Sequence, residues 1–118
     1  MTTIQRLHPS ARYSEASIHN GTVYLAGQVA EDATEDIRGQ TRQVLAAIDK
    51  LLAEAGSDKS RILMAQIFLA DLADFAGMNA VWDAWVSADS KPCRATVEAQ
   101  LARPGWRIEI VVTAAVRA

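Results

Sequence analysis

PCRATVEAQLARPGWRIEIVVTAAV, residues 92–116, holds two alternating runs on either side of a turn-forming tetrapeptide, and the way they pair decides the architecture. Side chains of an extended chain point to opposite faces in turn. Ala95, Val97, Ala99 and Leu101 therefore group with Ile108, Ile110, Val112 and Ala114 as one apolar side. Arg94, Thr96, Glu98, Gln100, Arg107, Glu109 and Thr113 share the other. With Ala102-Arg103-Pro104-Gly105 as the loop, the pattern predicts an antiparallel hairpin whose apolar side faces the rest of the core. If Leu101 lies opposite Trp106, Glu98 faces Glu109 and Arg94 faces Thr113. Arg94 and Glu109 then stand roughly 14 Å apart along the ladder, too far for a direct ion pair.

Working back from this hairpin, ASIHNGTVYLAGQV (16–29) sets Asn20-Gly21 between two runs rich in β-branched and aromatic residues, a second hairpin signal. Between 34 and 55 the period changes. Ile37, Val44, Leu45, Ile48, Leu51, Leu52 and Ala55 recur at three- and four-residue steps, the stripe of an amphipathic helix. Asp32 with Glu35 predicts a capping box at its start, and Gly56 a stop. SRILMAQIFLAD reads as a well-buried strand ending near Asp71, and a second helix follows with Phe75, Met78, Trp82 and Trp85 along one face. The order is ββαβαββ: an α+β fold in a single domain, 1–118, with a mixed sheet and two helices on one face. The other face, bearing Val111 and Ala115, is left uncovered, which predicts a homo-oligomer with a cleft where sheets meet.

Composition narrows the function. The chain has 118 residues, half of them hydrophobic, with twelve scattered Lys and Arg and a formal charge of −2, so it presents no electrostatic footprint for nucleic acid or an anionic membrane. One cysteine, Cys93, excludes an internal disulfide and a cysteine-rich metal site; His8 and His19 lack ligand spacing, so no metal is expected. No apolar run reaches the length of a signal peptide core or a membrane span, which makes the cytoplasm the expected location. No glycine-rich phosphate loop is present. Cys93 is a poor nucleophile candidate, since alternation turns it away from Arg94 and no histidine is close in sequence. Arg38, Arg42 and Lys50 read as the solvated face of the first helix.

Arg94 and Glu109 are surface charges on one reading. On another, they suit a small carboxylate ligand: a guanidinium grips a carboxylate through two parallel hydrogen bonds, and a carboxylate further along orients a water. Asn79 falls within the apolar stripe of the second helix, between Phe75 and Trp82. Buried without a partner, its amide would cost about 1–3 kcal/mol, so a partner is expected in the site or at a subunit contact.

YLAGQV (24–29), IFLADLADFAGMNAVWDAW (67–85) and PCRATVEAQLARPGWRIEI (92–110) together resemble the RidA (YjgF) family of imine and enamine deaminases over nearly the whole chain. The resemblance implies a chorismate-mutase-like fold and a homotrimer with a central β-barrel, with three sites in the clefts between subunits. It also implies hydrolysis of 2-imino or 2-enamino acids to 2-oxo acids and ammonia, of the 2-iminobutanoate/2-iminopropanoate type, without a cofactor. Position by position, Arg94 would bind the substrate carboxylate and Glu109 would position the attacking water. Tyr13, Gly27 and Asn79 match other pocket positions. Ala26 stands where many members have Ser, and Thr96 where many have Cys, so the resemblance leaves the substrate preference open while keeping the anchor and the water-orienting group. The alternatives are a binding protein that holds a carboxylate metabolite without turning it over and an RNA-cleaving translation inhibitor; the acidic charge and lack of a basic, aromatic-interleaved surface weigh against the latter.

Overall fold

The Asn20-Gly21 turn closes as its residue types demand. In the computed structural model, which describes residues 3–118, both positions have positive φ, 52° and 77°, the backbone of the tight turn that matches strand twist. It joins β2 (Ser14–His19) to β3 (Thr22–Leu25), with His19 opposite Thr22. A further strand, β1 (Gln5–Pro9), precedes the expected pattern and pairs antiparallel with β2.

Helix α1 (Ile37–Glu54) buries the expected stripe, Val44, Leu45, Ile48, Leu51 and Leu52. It starts later than the capping-box reading places it. Asp32 accepts from the backbone N–H of Thr34 at 3.0 Å, a local turn that competes with helix initiation, and the N-cap is Asp36, which accepts from the Gly39 N–H at 2.9 Å. The stop at Gly56 holds. Its φ of +81° lets Ser57 N–H reach Leu52 O (2.8 Å) and Gly56 N–H reach Ala53 O (3.2 Å), closing the last carbonyls.

The remaining elements are β5 (Ile62–Leu69), α2 (Phe75–Trp85), β6 (Cys93–Glu98) and β7 (Ile108–Ala115), with a two-residue β4 (Gln28–Val29) before α1. Strand order across the sheet is β1-β2-β3-β7-β5-β6, with β4 also on β7. The α+β arrangement with the ββαβαββ order is therefore present, but β6 and β7 do not form a hairpin. Strand β5 lies between them, antiparallel to β7 and parallel to β6, with Ala65 opposite both Val112 and Arg94. Placing the most apolar strand centrally satisfies its backbone on both edges, and the chain between Glu98 and Ile108 is long enough to step over it.

That insertion inverts one face assignment. Ile108, Ile110, Val112 and Ala114 do face the helices, fully buried together with Ala65, Ile67 and Leu69. Through the β5 register, the residues of β6 on that same side are Arg94, Thr96 and Glu98, whereas Ala95 and Val97 lie on the open side. Glu98 does not face Glu109: its Oε1 accepts from the Leu72 N–H at 3.0 Å, capping the turn before α2. Arg94 does not face Thr113, which pairs with Tyr24 and Met64. The open side carries a row running Tyr24, Thr113, Met64, Cys93 and another running Val29, Glu109, Phe68, Val97. Tyr24, Met64 and Val97 on it are 53%, 39% and 48% exposed.

Candidate functional site

Arg94 sits on edge strand β6, on the helix side, and points at α2. Phe75, Asn79 and Trp82 recur at four and three residues on that helix and so line one face of it. The guanidinium carbon is 5.3 Å from the Trp82 ring centroid and 5.9 Å from that of Phe75, and Nη1 donates to Asn79 Oδ1 at 2.8 Å. The Asn79 amide thus has the partner its place in the apolar stripe demands. Ion pairs among the described residues join His8 to Glu54, Arg107 to Asp74 (3.3 Å) and Arg117 to Asp58 (3.5 Å); none of these involves Arg94. A half-buried cation held by aromatic faces and one neutral carbonyl oxygen keeps donors for an anion. Thr96 shares this face two residues along.

Glu109 belongs to a different place. It lies on the open face of β7, opposite Val29, and with Tyr13, Ser14, Ala26, Gly27, Ala102 and Trp106 it lines a depression of about 410 Å³. A bulge shapes this wall. From Tyr24 to Gln28 is four residues, whereas their partners Thr113 and Ile110 are three apart, so the β3–β4 segment carries one extra residue, at Ala26-Gly27. Ala26 N–H stays bonded to Glu15 O on β2 at 2.9 Å, and Gly27 lies against the carboxylate: a Cβ there would stand 2.0 Å from Glu109 Oε2. Tyr13 is 60% exposed at the β1–β2 turn, where Ser10 N–H donates to Tyr13 O at 2.8 Å.

Within one chain, then, the candidate residues fall into two groups on opposite faces of the sheet: Arg94, Asn79 and Thr96 on one, Tyr13, Ala26, Gly27 and Glu109 on the other. The 14 Å ladder separation is replaced by a sheet between them.

The family model described as Endoribonuclease L-PSP matches residues 3–116. A RutC family protein of Haemophilus influenzae is 59% identical over 113 residues, covering 95% of this chain and 97% of that one. The RutC family protein YoaB of Escherichia coli is 50% identical over 114 residues, covering 97% and 99%. Among solved structures, a YjgF family member from Neisseria meningitidis superposes with a TM-score of 0.96 at 52% identity, covering 98% of this chain and 97% of that one. The chain belongs to the RidA (YjgF) family. In this RidA-family chain Ala26 and Thr96 fall one in each of the two groups.

Three residues of this RidA-family protein are not picked out by the sequence pattern. Trp106 and Ala102 complete the wall around Glu109, although the hairpin reading uses them as a register partner and a loop residue. Gln40 is fully buried behind them, its two amide hydrogens shared among Ala33 O (3.2 Å), Glu35 O (3.0 Å) and Gly105 O (2.9 Å) and its oxygen accepting from Arg107 N–H (2.9 Å). The signal for it is an amide between Ile37 and Val44 on the apolar stripe of α1. No helix among the described residues is long and apolar enough to cross a membrane.

Proposed function

We propose that the protein is a homotrimeric deaminase of 2-imino acids and their 2-enamine tautomers, releasing a 2-oxo acid and ammonia. Each site is composite, with Arg94, Asn79 and Thr96 from one protomer and Tyr13, Ala26, Gly27 and Glu109 from its neighbour. The observation that carries this is Arg94: a guanidinium set on Trp82 and Phe75, with Asn79 but, among the described residues, no carboxylate as ion-pair partner, is arranged for an anion. The division of the candidates across the sheet supports a site made from two copies, and the exposed Tyr24, Met64 and Val97 supply an apolar face for association.

In the proposed reaction Arg94 grips the substrate carboxylate and leaves the C=N carbon over a water hydrogen-bonded to Glu109. The imine nitrogen is protonated, which draws electrons from carbon; water adds as Glu109 takes its proton, forming the C–O bond of a carbinolamine. Transfer of that proton to nitrogen lets the C–N bond break, and the hydroxyl proton leaves as the carbonyl forms. Because imines hydrolyse unaided, positioned proton transfer contributing about 10²–10⁴ suffices.

The test generates the imine in situ with an amino-acid oxidase and follows its decay with and without protein. Unchanged decay overturns the proposal. Co-expression adds a sharper arm: Arg94→Ala and Glu109→Gln subunits are each inactive alone, yet random mixed trimers recover about a quarter of the wild-type rate, because one interface in three is intact in each mixed ring. Absence of recovery would mean that both residues act within one chain. A further expected result concerns Gly27. Gly27→Ala drives a methyl into the Glu109 carboxylate and lowers the rate by about 10- to 100-fold with little change in melting temperature, as measured by the same assay and thermal unfolding. Reversible binding of a stable 2-oxo acid, seen by calorimetry without any imine hydrolysis, would favour a carboxylate-binding protein, the outcome to which the absent hydroxyl at Ala26 points.

A further inference from the structure

Trp106 lines the depression that holds Glu109, and it has no part in the chemistry above. It is fixed from several directions. Its Nε1 donates to Ala30 O at 3.1 Å. The backbone on either side is held by one buried amide, since Gln40 donates to Gly105 O and accepts from Arg107 N–H, both at 2.9 Å. The Arg103 guanidinium stands 5.4 Å from the indole centroid and lines the neighbouring depression, leaving the Glu109 side to the ring. A fully buried amide satisfied at every position is thus used to immobilise a half-exposed indole, and a rigid aromatic wall loses little entropy when a ligand packs on it.

Beside Ser14 and Glu109, the lining shared with the ring is mostly small and apolar, with Ala26, Gly27, Val29 and Ala102, and Tyr13 completes it. On the imine-hydrolysis reading, on which this step rests, the carboxylate and the C=N group are handled by Arg94 and Glu109. The apolar remainder of the wall is then left for the substrate's side chain. The depression, about 410 Å³, falls within the range of small-molecule sites and is not filled by a methyl group. We propose that Trp106 is a specificity-determining residue that selects 2-imino acids with large apolar side chains over the methyl-bearing one, with Ala102 leaving the room that the side chain occupies.

The experiment compares imines generated from alanine, leucine, methionine and phenylalanine, each corrected for spontaneous decay. Wild-type kcat/KM is expected to be about ten-fold or more higher for the three bulky imines than for the alanine-derived one. Trp106→Ala should reduce that ratio by about ten-fold, while Trp106→Phe, which keeps a ring, should largely preserve it. Ala102→Leu, on an exposed loop position, fills the depression without removing the wall and should reduce the ratio even if Trp106→Ala fails to fold. A wild type with equal kcat/KM for all four, or an Ala102→Leu protein with an unchanged ratio, overturns the proposal. If wild type hydrolyses none of them, the deaminase reading fails on its own. Calorimetry with pyruvate, 4-methyl-2-oxopentanoate and phenylpyruvate then decides about Trp106: tighter binding of the two bulky acids, lost in Ala102→Leu, supports it, and equal affinities overturn it.

Discussion

Arg94→Ala lowers kcat/KM for imine hydrolysis by about 10²–10³, or about 3–4 kcal/mol of transition-state stabilisation, and abolishes calorimetric binding of stable 2-oxo acids. The size follows from the setting. The guanidinium is already partly desolvated against Trp82 and Phe75, so a carboxylate that meets it gains a charge-assisted, two-pronged contact with little reorganisation. Arg94→Lys recovers only a small part, because an ammonium cannot keep a bond to Asn79 Oδ1 and present a planar fork to the ligand at once. Folding is affected far less than activity: the contact removed is half-buried and lies at the sheet edge. A denaturation curve matching wild type alongside a lost rate is the expected pair of measurements. Full activity in Arg94→Ala removes the anchor on which the proposed mechanism depends.

Gln40→Leu gives the largest loss of stability, about 3 kcal/mol or more, read as a lower urea midpoint at unchanged slope. The side chain conserves volume, so the loss is not a cavity effect. It arises because the carbonyls of Ala33, Glu35 and Gly105 lose a donor and the Arg107 N–H loses its acceptor, each group left behind costing about 1–3 kcal/mol when water cannot reach it. Against a total of about 5–15 kcal/mol this is a large fraction. Gln40→Glu separates hydrogen bonding from charge. It keeps the acceptor for Arg107 but loses the donors and adds a buried negative charge, so it should destabilise at least as much at neutral pH. An unfolding free energy within about 0.5 kcal/mol of wild type for both variants would show that the 99–107 loop is held by other contacts.

The parts of the fold legible in sequence were those set by neighbours in the chain. Asn20-Gly21 forms its turn because positive φ is available locally, and the α1 stripe with Gly56 forms its helix and stop because the spacing and the left-handed residue lie within a few positions of one another. The alternation of 92–116 likewise identified two strands and grouped each strand's residues correctly by face. Within that stretch, Arg94 and Glu109 were legible as candidates because charged groups interrupt apolar strands.

Which side each group faces could not be read that way. Alternation has period two, so a strand's partner decides whether its even or odd residues meet the core, and β5, drawn from 62–69, inserts between β6 and β7 and inverts β6 alone. That single non-local pairing puts Arg94 against α2, sends Glu109 to the open face, and brings Trp106, Ala102 and Gly27 round the carboxylate. The amino-acid order by itself therefore determined the elements from β2 onward, their sequence along the chain and the residue types available for chemistry, whereas β1 showed no pattern of its own. Tertiary structure decided which of them meet, because strand pairing is chosen by burial and backbone satisfaction summed over the whole sheet, a quantity no local window contains.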